Sequence, residues 1–219
     1  PSREAIARMA DPLRRRIAER VLEHTHYDHS VPSHINRWLV TPPQRIRAER
    51  RALAGGIVQT VSTIDTPRGA LTAESRHNPH AGTTWAVKYP VETEDDIEKI
   101  RSVPWELPKG LAPAADPPDT DAFRRRGIAT THISSPFVCV AGMMGYQQFL
   151  GMTYTHTDLI AELTDECLRR TLDCLRVLLS GPGVEYVWLG GSEWVTPPMG
   201  SPFVYDALVQ EQERAVIRY

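Results

Sequence analysis

Long hydrophobic runs are missing from these 219 residues, and none approaches the roughly 18 apolar positions that a membrane-spanning helix needs. An excess of one charge is missing as well. Lys and Arg number 25 against 27 Asp and Glu, a net charge of −2. No broad electrostatic footprint for nucleic acid is present, so neither a nucleic-acid nor a membrane partner is expected. Cysteine is scarce: Cys139, Cys167 and Cys174 make no paired framework. That favours a reducing, cytoplasmic setting. The opening PSREAIARMADPLRRRIAERVL is a charged helical pattern with no signal-peptide core. Repeats are absent too. Proline alone is in excess, 18 where average usage gives about 11, and it gathers in connections such as LPKGLAPAADPPD and TPPMGSP. With 41% hydrophobic and 24% charged residues the chain reads as one globular domain over 1–219.

Ile6, Met9, Leu13, Ile17 and Val21 recur at three- and four-residue spacing, which predicts an amphipathic helix over 3–23. VPSHINRWLV reads as a strand, and TPPQRIRAERRALAGG as a short basic helix stopped by Gly55-Gly56. β-Branched residues flank a turn at TPRG in IVQTVSTIDTPRGALTAES, which predicts a hairpin, and TTWAVKYPV reads as a further strand. Thr93 and Asp96 form a capping box for a helix to about Arg101. GIATTHISSPF is a candidate buried strand, Asp158 to Ser180 a long amphipathic helix, and VEYVWLGG a buried parallel strand. Ser201-Pro202 supplies an N-cap and a preset first helical residue. The final VYDALVQEQERAVIRY reaches Tyr219 without a stop signal, and a strand–helix–strand–helix run should continue, so the expectation is of a fragment.

Two constellations could carry chemistry. His24, His26, Asp28 and His29 spell HxHxDH, the zinc motif of metallo-β-lactamase-like hydrolases, in which imidazoles and a carboxylate ligate the metal. Here the motif follows a charged helix rather than an apolar strand, and a polar helix-to-strand connection with exposed histidines is the competing reading. The second constellation is the end of VEYVWLGGSEW. In parallel α/β folds the carboxyl ends of strands face the ligand crevice, which would put Glu193 at its rim for proton transfer or polar anchoring. A solvated Glu193 that caps a helix or pairs with an arginine is the alternative.

The order of four segments resembles the uroporphyrinogen decarboxylase-like superfamily. These are AERVLEHTHYDHSVP, TIDTPRGALTAE with WAVKYPVETEDDIEKIRSVPWELP, SSPFVCVAGMMGYQQFL with its following helix, and the VEYVWLGGSEW block. The similarity is strongest to the cobalamin-dependent methyltransferase-like members. It implies a TIM-type (β/α)8 barrel, incomplete in this chain, with an N-terminal helix and a β-hairpin insertion. It further implies a mouth formed by Asn36, Arg37 and Trp38, by Ser134, Ser135 and Phe137, by Tyr146, and by Ser192, Glu193 and Trp194. The RQAGR motif of true uroporphyrinogen decarboxylases is absent from the first-strand region, which argues against tetrapyrrole decarboxylation. The resemblance implies transfer of a methyl group between a small compound and a corrinoid on a partner protein, for which Glu193 is the candidate acid or substrate-orienting contact. It also implies a homodimer, and zinc held by a His-x-Cys pair and a cysteine beyond Tyr219. The competing functions are a zinc hydrolase using His24, His26, Asp28 and His29, and a non-catalytic barrel relative.

Overall fold

The computed structural model describes residues 3–25, 27–35, 45–117 and 121–219, with the side chains of Arg3, Tyr27, Ala122, Ser192 and Glu193 outside that description. Helix α1 (Arg3–Ala7) leads into α2 (Pro12–His24). Asp11 caps α2 by accepting from the Leu13 and Arg14 amides at 2.9 and 3.2 Å, and Pro12 presets its first turn. The single helix expected over 3–23 is corrected to two, broken at residues 8–11 before Pro12, and the stripe of Leu13, Ile17 and Val21 on the second stays exposed. At its far end the Arg126 guanidinium donates to the Leu22 and Glu23 carbonyls, which the helix itself leaves without partners.

Strand β1 (Tyr27–Ser30) pairs in parallel with β6 (Gly127–Ser134), and β6 pairs in parallel with β7 (Tyr186–Gly190), in the order β1-β6-β7. The residues between β1 and β6 build a separate antiparallel meander, β2 (Ile46–Ala52), β3 (Val58–Thr66), β4 (Gly69–Asn78) and β5 (Thr83–Lys88). The expected (β/α)8 barrel is therefore corrected: three parallel strands and a four-stranded antiparallel sheet stand apart, and no barrel closure forms among the described residues. The reason lies in the middle of the chain. Strand, tight turn and strand follow one another there without the intervening helices that parallel crossovers require.

The basic helix expected over 41–56 is also corrected. Residues 41–44 lie outside the described residues, and IRAERRA is strand β2, paired with β3 from Ile46↔Ile64 to Ala52↔Val58. Its arginines and glutamate are nearly all exposed, so a helix here would have had no apolar face to bury. Arg47 makes two 2.9 Å hydrogen bonds to Asp65 across the ladder. Gly55 and Gly56, at φ of 71° and 74°, turn the chain into β3 instead of stopping a helix. The next turn holds as expected at Thr66–Gly69, where the Thr66 hydroxyl donates to the Gly69 carbonyl at 2.6 Å. Of VPSHINRWLV, residues 31–35 form no strand and 36–40 lie outside the described residues.

Helix α3 (Glu94–Arg101) carries the Thr93–Asp96 capping box and buries Ile97 and Ile100. After α4 (Asp121–Arg126) and β6 come α5 (Pro136–Met144), α6 (Tyr146–Thr155) and α7 (Thr157–Leu178). Strand β7 leads through a 3-10 turn at Ser192–Val195 to α8 (Pro202–Leu208) and α9 (Gln210–Arg218). One core joins Ile64 and Leu71 of the meander to α3, α5, α6, α7 and α8, with Phe137 set edge-on to Phe149 at 4.6 Å between ring centroids. A second cluster packs Ile133, Val187 and Leu189 of the parallel sheet on Leu175 of α7 and Val216 of α9. Those side chains occupy one face of the sheet. The other face carries the candidate site.

Candidate functional site

Strand alternation and the parallel register put Asp28, Thr130, His132, Ser134 and Trp188 on the face opposite that second cluster. Parallel sheets are usually covered on both faces. Here the second face leaves Ile128, Tyr186 and Trp188 exposed. At the carboxyl ends of β6 and β7 it deepens into a crevice of ≈ 490 Å³, lined by Ile35, His132, Ser134, Val138, Trp188, Gly190, Gly191 and Trp194 among others. Ligands of open α/β sheets bind at this end of the strands.

Asp28 and His132 are 104 residues apart in sequence yet adjacent in the sheet, with His132 Nε2 3.4 Å from Asp28 Oδ2. The Thr130 hydroxyl donates to the other carboxylate oxygen. That hydrogen bond holds the Asp28 carboxyl below its ordinary range, with partial burial opposing it and His132 adding to it. The His132 ring stacks on Trp188 at 5.8 Å with an interplanar angle of 19°. A carboxylate thus orients an imidazole whose face is fixed by an indole, an arrangement suited to moving a proton at a crevice wall.

The glycines after β7 have different roles. Gly191 sits at φ 121°, and a Cβ there would lie 2.4 Å from Val138 Cγ2, so α5 can approach the strand end only because no side chain intervenes. Gly190 has ordinary room. Beyond them, Trp194 is held from two sides. The Tyr146 hydroxyl donates to its carbonyl at 2.9 Å, and the Tyr146 ring meets the indole edge-on at 4.8 Å. Burial pushes the Tyr146 phenol up, which keeps it a donor.

Of the expected mouth residues, Ser134 and Trp194 line the crevice. Tyr146 reaches it only through Trp194. Ser135 is fully buried and caps α5, accepting from the Val138 amide at 3.3 Å. Phe137 is buried in the main core. Ser192 and Glu193 lie on the 3-10 turn one residue past Gly191, with side chains outside the described part. Asn36, Arg37, Trp38 and His26 lie outside the described residues. His132 and Trp188 were missed, although the alternation in TTHIS and YVWLG could have set both on the polar side of their strands.

Of the HxHxDH letters, the described His24, Asp28 and His29 do not converge. His24 ends α2, beside Arg20 and Glu23. Asp28 turns toward His132, while its neighbour His29 meets the edge of Phe123. Successive strand residues face opposite sides, so Asp28 and His29 cannot share one ion. Among the described residues no group of three or more His, Cys, Asp or Glu could hold a metal. All three cysteines are buried, with Cys139 pushed up to about 12 by burial. A larger, mostly apolar recess of ≈ 580 Å³ lies between Val195–Pro197 and Ser201–Asp206, and among the described residues lining it only Asp206 and Tyr205 are ionisable. The 490 Å³ crevice is the better site because its polar groups converge. No helix among the described residues is long and apolar enough to cross a membrane. No family model matches the chain, and no curated protein or solved structure is detectably similar to it.

Proposed function

We propose that the protein is an enzyme acting on a small methylated compound in the crevice at the carboxyl ends of β6 and β7, transferring the methyl group to a corrinoid carried by a partner protein. The observation that carries this reading is the meeting of His132, which Asp28 contacts on the open sheet face, with Trp188 and Trp194 in one crevice. The four sequence segments similar to methyltransferase-like members of the uroporphyrinogen decarboxylase-like superfamily support the choice of reaction. Trp188, Trp194, Val138 and Ile35 offer apolar walls for a methyl-bearing group. Ser134 offers a hydroxyl for orientation.

The corrinoid, when bound, supplies the cobalt that takes the methyl group. What this chain must supply is a proton. As the methyl–oxygen or methyl–nitrogen bond breaks, the leaving atom gains an electron pair and must be neutralised. His132 is placed for that transfer, with Asp28 orienting the ring. Glu193, whose backbone follows Gly191 at the rim, is the second proton donor in this reading.

Methyl transfer from methyl ethers and methylamines to free cobalamin, chemically reduced to its Co(I) form, tests the assignment. The Glu193→Gln variant is expected to abolish transfer with an unchanged circular dichroism spectrum. Unchanged turnover in that variant removes Glu193 from the chemistry.

A further inference from the structure

A third cavity, of ≈ 320 Å³, shares no residue with the crevice and is built on one face of α7, where Glu166, Arg169, Arg170, Asp173 and Arg176 recur at helical spacing below Trp105. At its wall is an arginine in an unusual position. The Arg170 side chain is 8% exposed, and its guanidinium carbon lies 5.1 Å from the centroid of the Trp105 ring. Nη2 donates to Glu166 Oε1. Nη1 is buried and has no hydrogen-bond partner among the described residues.

A dry guanidinium nitrogen without an acceptor is costly, and native structures almost always satisfy such groups with protein, water or an ion. The neighbouring carboxylates are already engaged. Glu166 Oε2 lies 3.6 Å from Arg101 Nε. Asp173 accepts from Trp105 Nε1 at 3.2 Å through one oxygen and from Arg176 at 2.8 Å through the other. Arg169 stands exposed at the rim without an ion-pair partner among the described residues. Three guanidinium groups against two carboxylates leave one positive charge unmatched in the lining. Desolvation lowers the Arg170 pKa while Glu166 opposes it, so a further anion would favour the charged form.

We propose that this cavity binds a small oxyanion, a carboxylate or phosphate group, held by the Arg169 and Arg170 guanidinium groups beside the Trp105 ring. Arginine forks suit such groups because their parallel donors match two oxygens at once. The shared chemistry covers a free ion and the anionic group of a larger molecule.

Calorimetric titration of the intact chain with inorganic phosphate and with acetate tests this, with chloride as the control and tryptophan emission as a second readout. Saturable binding is expected with at least one oxyanion, with a change in emission that Trp105→Phe removes. Arg169→Gln is expected to weaken it about tenfold or more, and Arg170→Met to abolish it. Should Arg170→Met fail to fold, Arg169→Gln and Trp105→Phe decide alone. The absence of saturable binding below about 10 mM, equal binding of chloride, or an affinity unchanged in Arg169→Gln would each overturn the proposal.

Discussion

Ser134 and Ser135 are neighbours with opposite duties, and the difference is measurable. Ser135 Oγ caps α5 from a fully buried position, so Ser135→Ala should cost about 1 kcal/mol of stability, read by urea unfolding, through loss of the cap. Ser134 lines the crevice, and Ser134→Ala should leave stability within about 0.5 kcal/mol while weakening substrate use. Asp96 gives a residue-level pH prediction. Burial raises its carboxyl pKa, but hydrogen bonds from Lys99, Thr93 and the Glu92 amide outweigh that and hold it below the ordinary value. A group whose pKa is lowered by folding stabilises the native state above its unfolded value, about 3.9 for aspartate, and that contribution fades as pH falls through the folded value. Asp96→Asn should therefore lose about 1 kcal/mol at neutral pH with its capping box, and show a shallower loss of stability below about pH 4 than the parent. A parallel loss in both proteins would contradict the assignment. The Thr93–Asp96 box was legible because its members are three residues apart. The Asp28–His132 pair was not, because parallel strand register joins positions 104 residues apart and no local pattern records it.

Among the elements, α7 was the most legible in sequence. Its apolar stripe of Ile160, Leu163, Cys167, Leu175 and Leu178 is fully buried, as its period demands. Strand β2 was the least legible, since IRAERRA is charged enough to read as a helix surface and acquires its form from pairing with β3. The exit from α7 is fixed by backbone contact rather than by side chains. The Ala114 amide donates to the Leu178 carbonyl at 2.9 Å, and the Gly183 amide to the Ala114 carbonyl at 3.2 Å. A Cβ on Gly183 would lie 1.7 Å from the Ala115 carbonyl oxygen. Gly183→Ala must displace that segment and should destabilise the protein by about 3 kcal/mol, as overpacking against a fixed partner does. A urea midpoint equal to the parent's would show that the connection can yield.

For the whole molecule, the main core matters most, because it ties the antiparallel meander to the helices through Ile64 and Leu71. One shared core predicts one cooperative transition, with circular dichroism and tryptophan emission coinciding in urea. Phe137→Ala, which empties space against Phe149, should lower stability by about 3–5 kcal/mol. The strand and helix content was largely legible from periodicity, whereas the arrangement was not. A (β/α)8 barrel and a three-stranded parallel sheet share the same local βα signals, and only the helix-free connections between β2 and β5 separate them. The site inherits that split. Its position after VEYVWLGG follows from a general rule about strand ends, while its ionisable pair depends on which strands become neighbours.

The most direct measurement of the functional claim is methyl transfer to cobalamin by the parent protein and by His132→Gln, side by side. The Asp28–His132 account predicts turnover in the parent and a loss of about a hundredfold or more in the variant, with the fold intact. No transfer by the parent, or equal rates in the two, would contradict it.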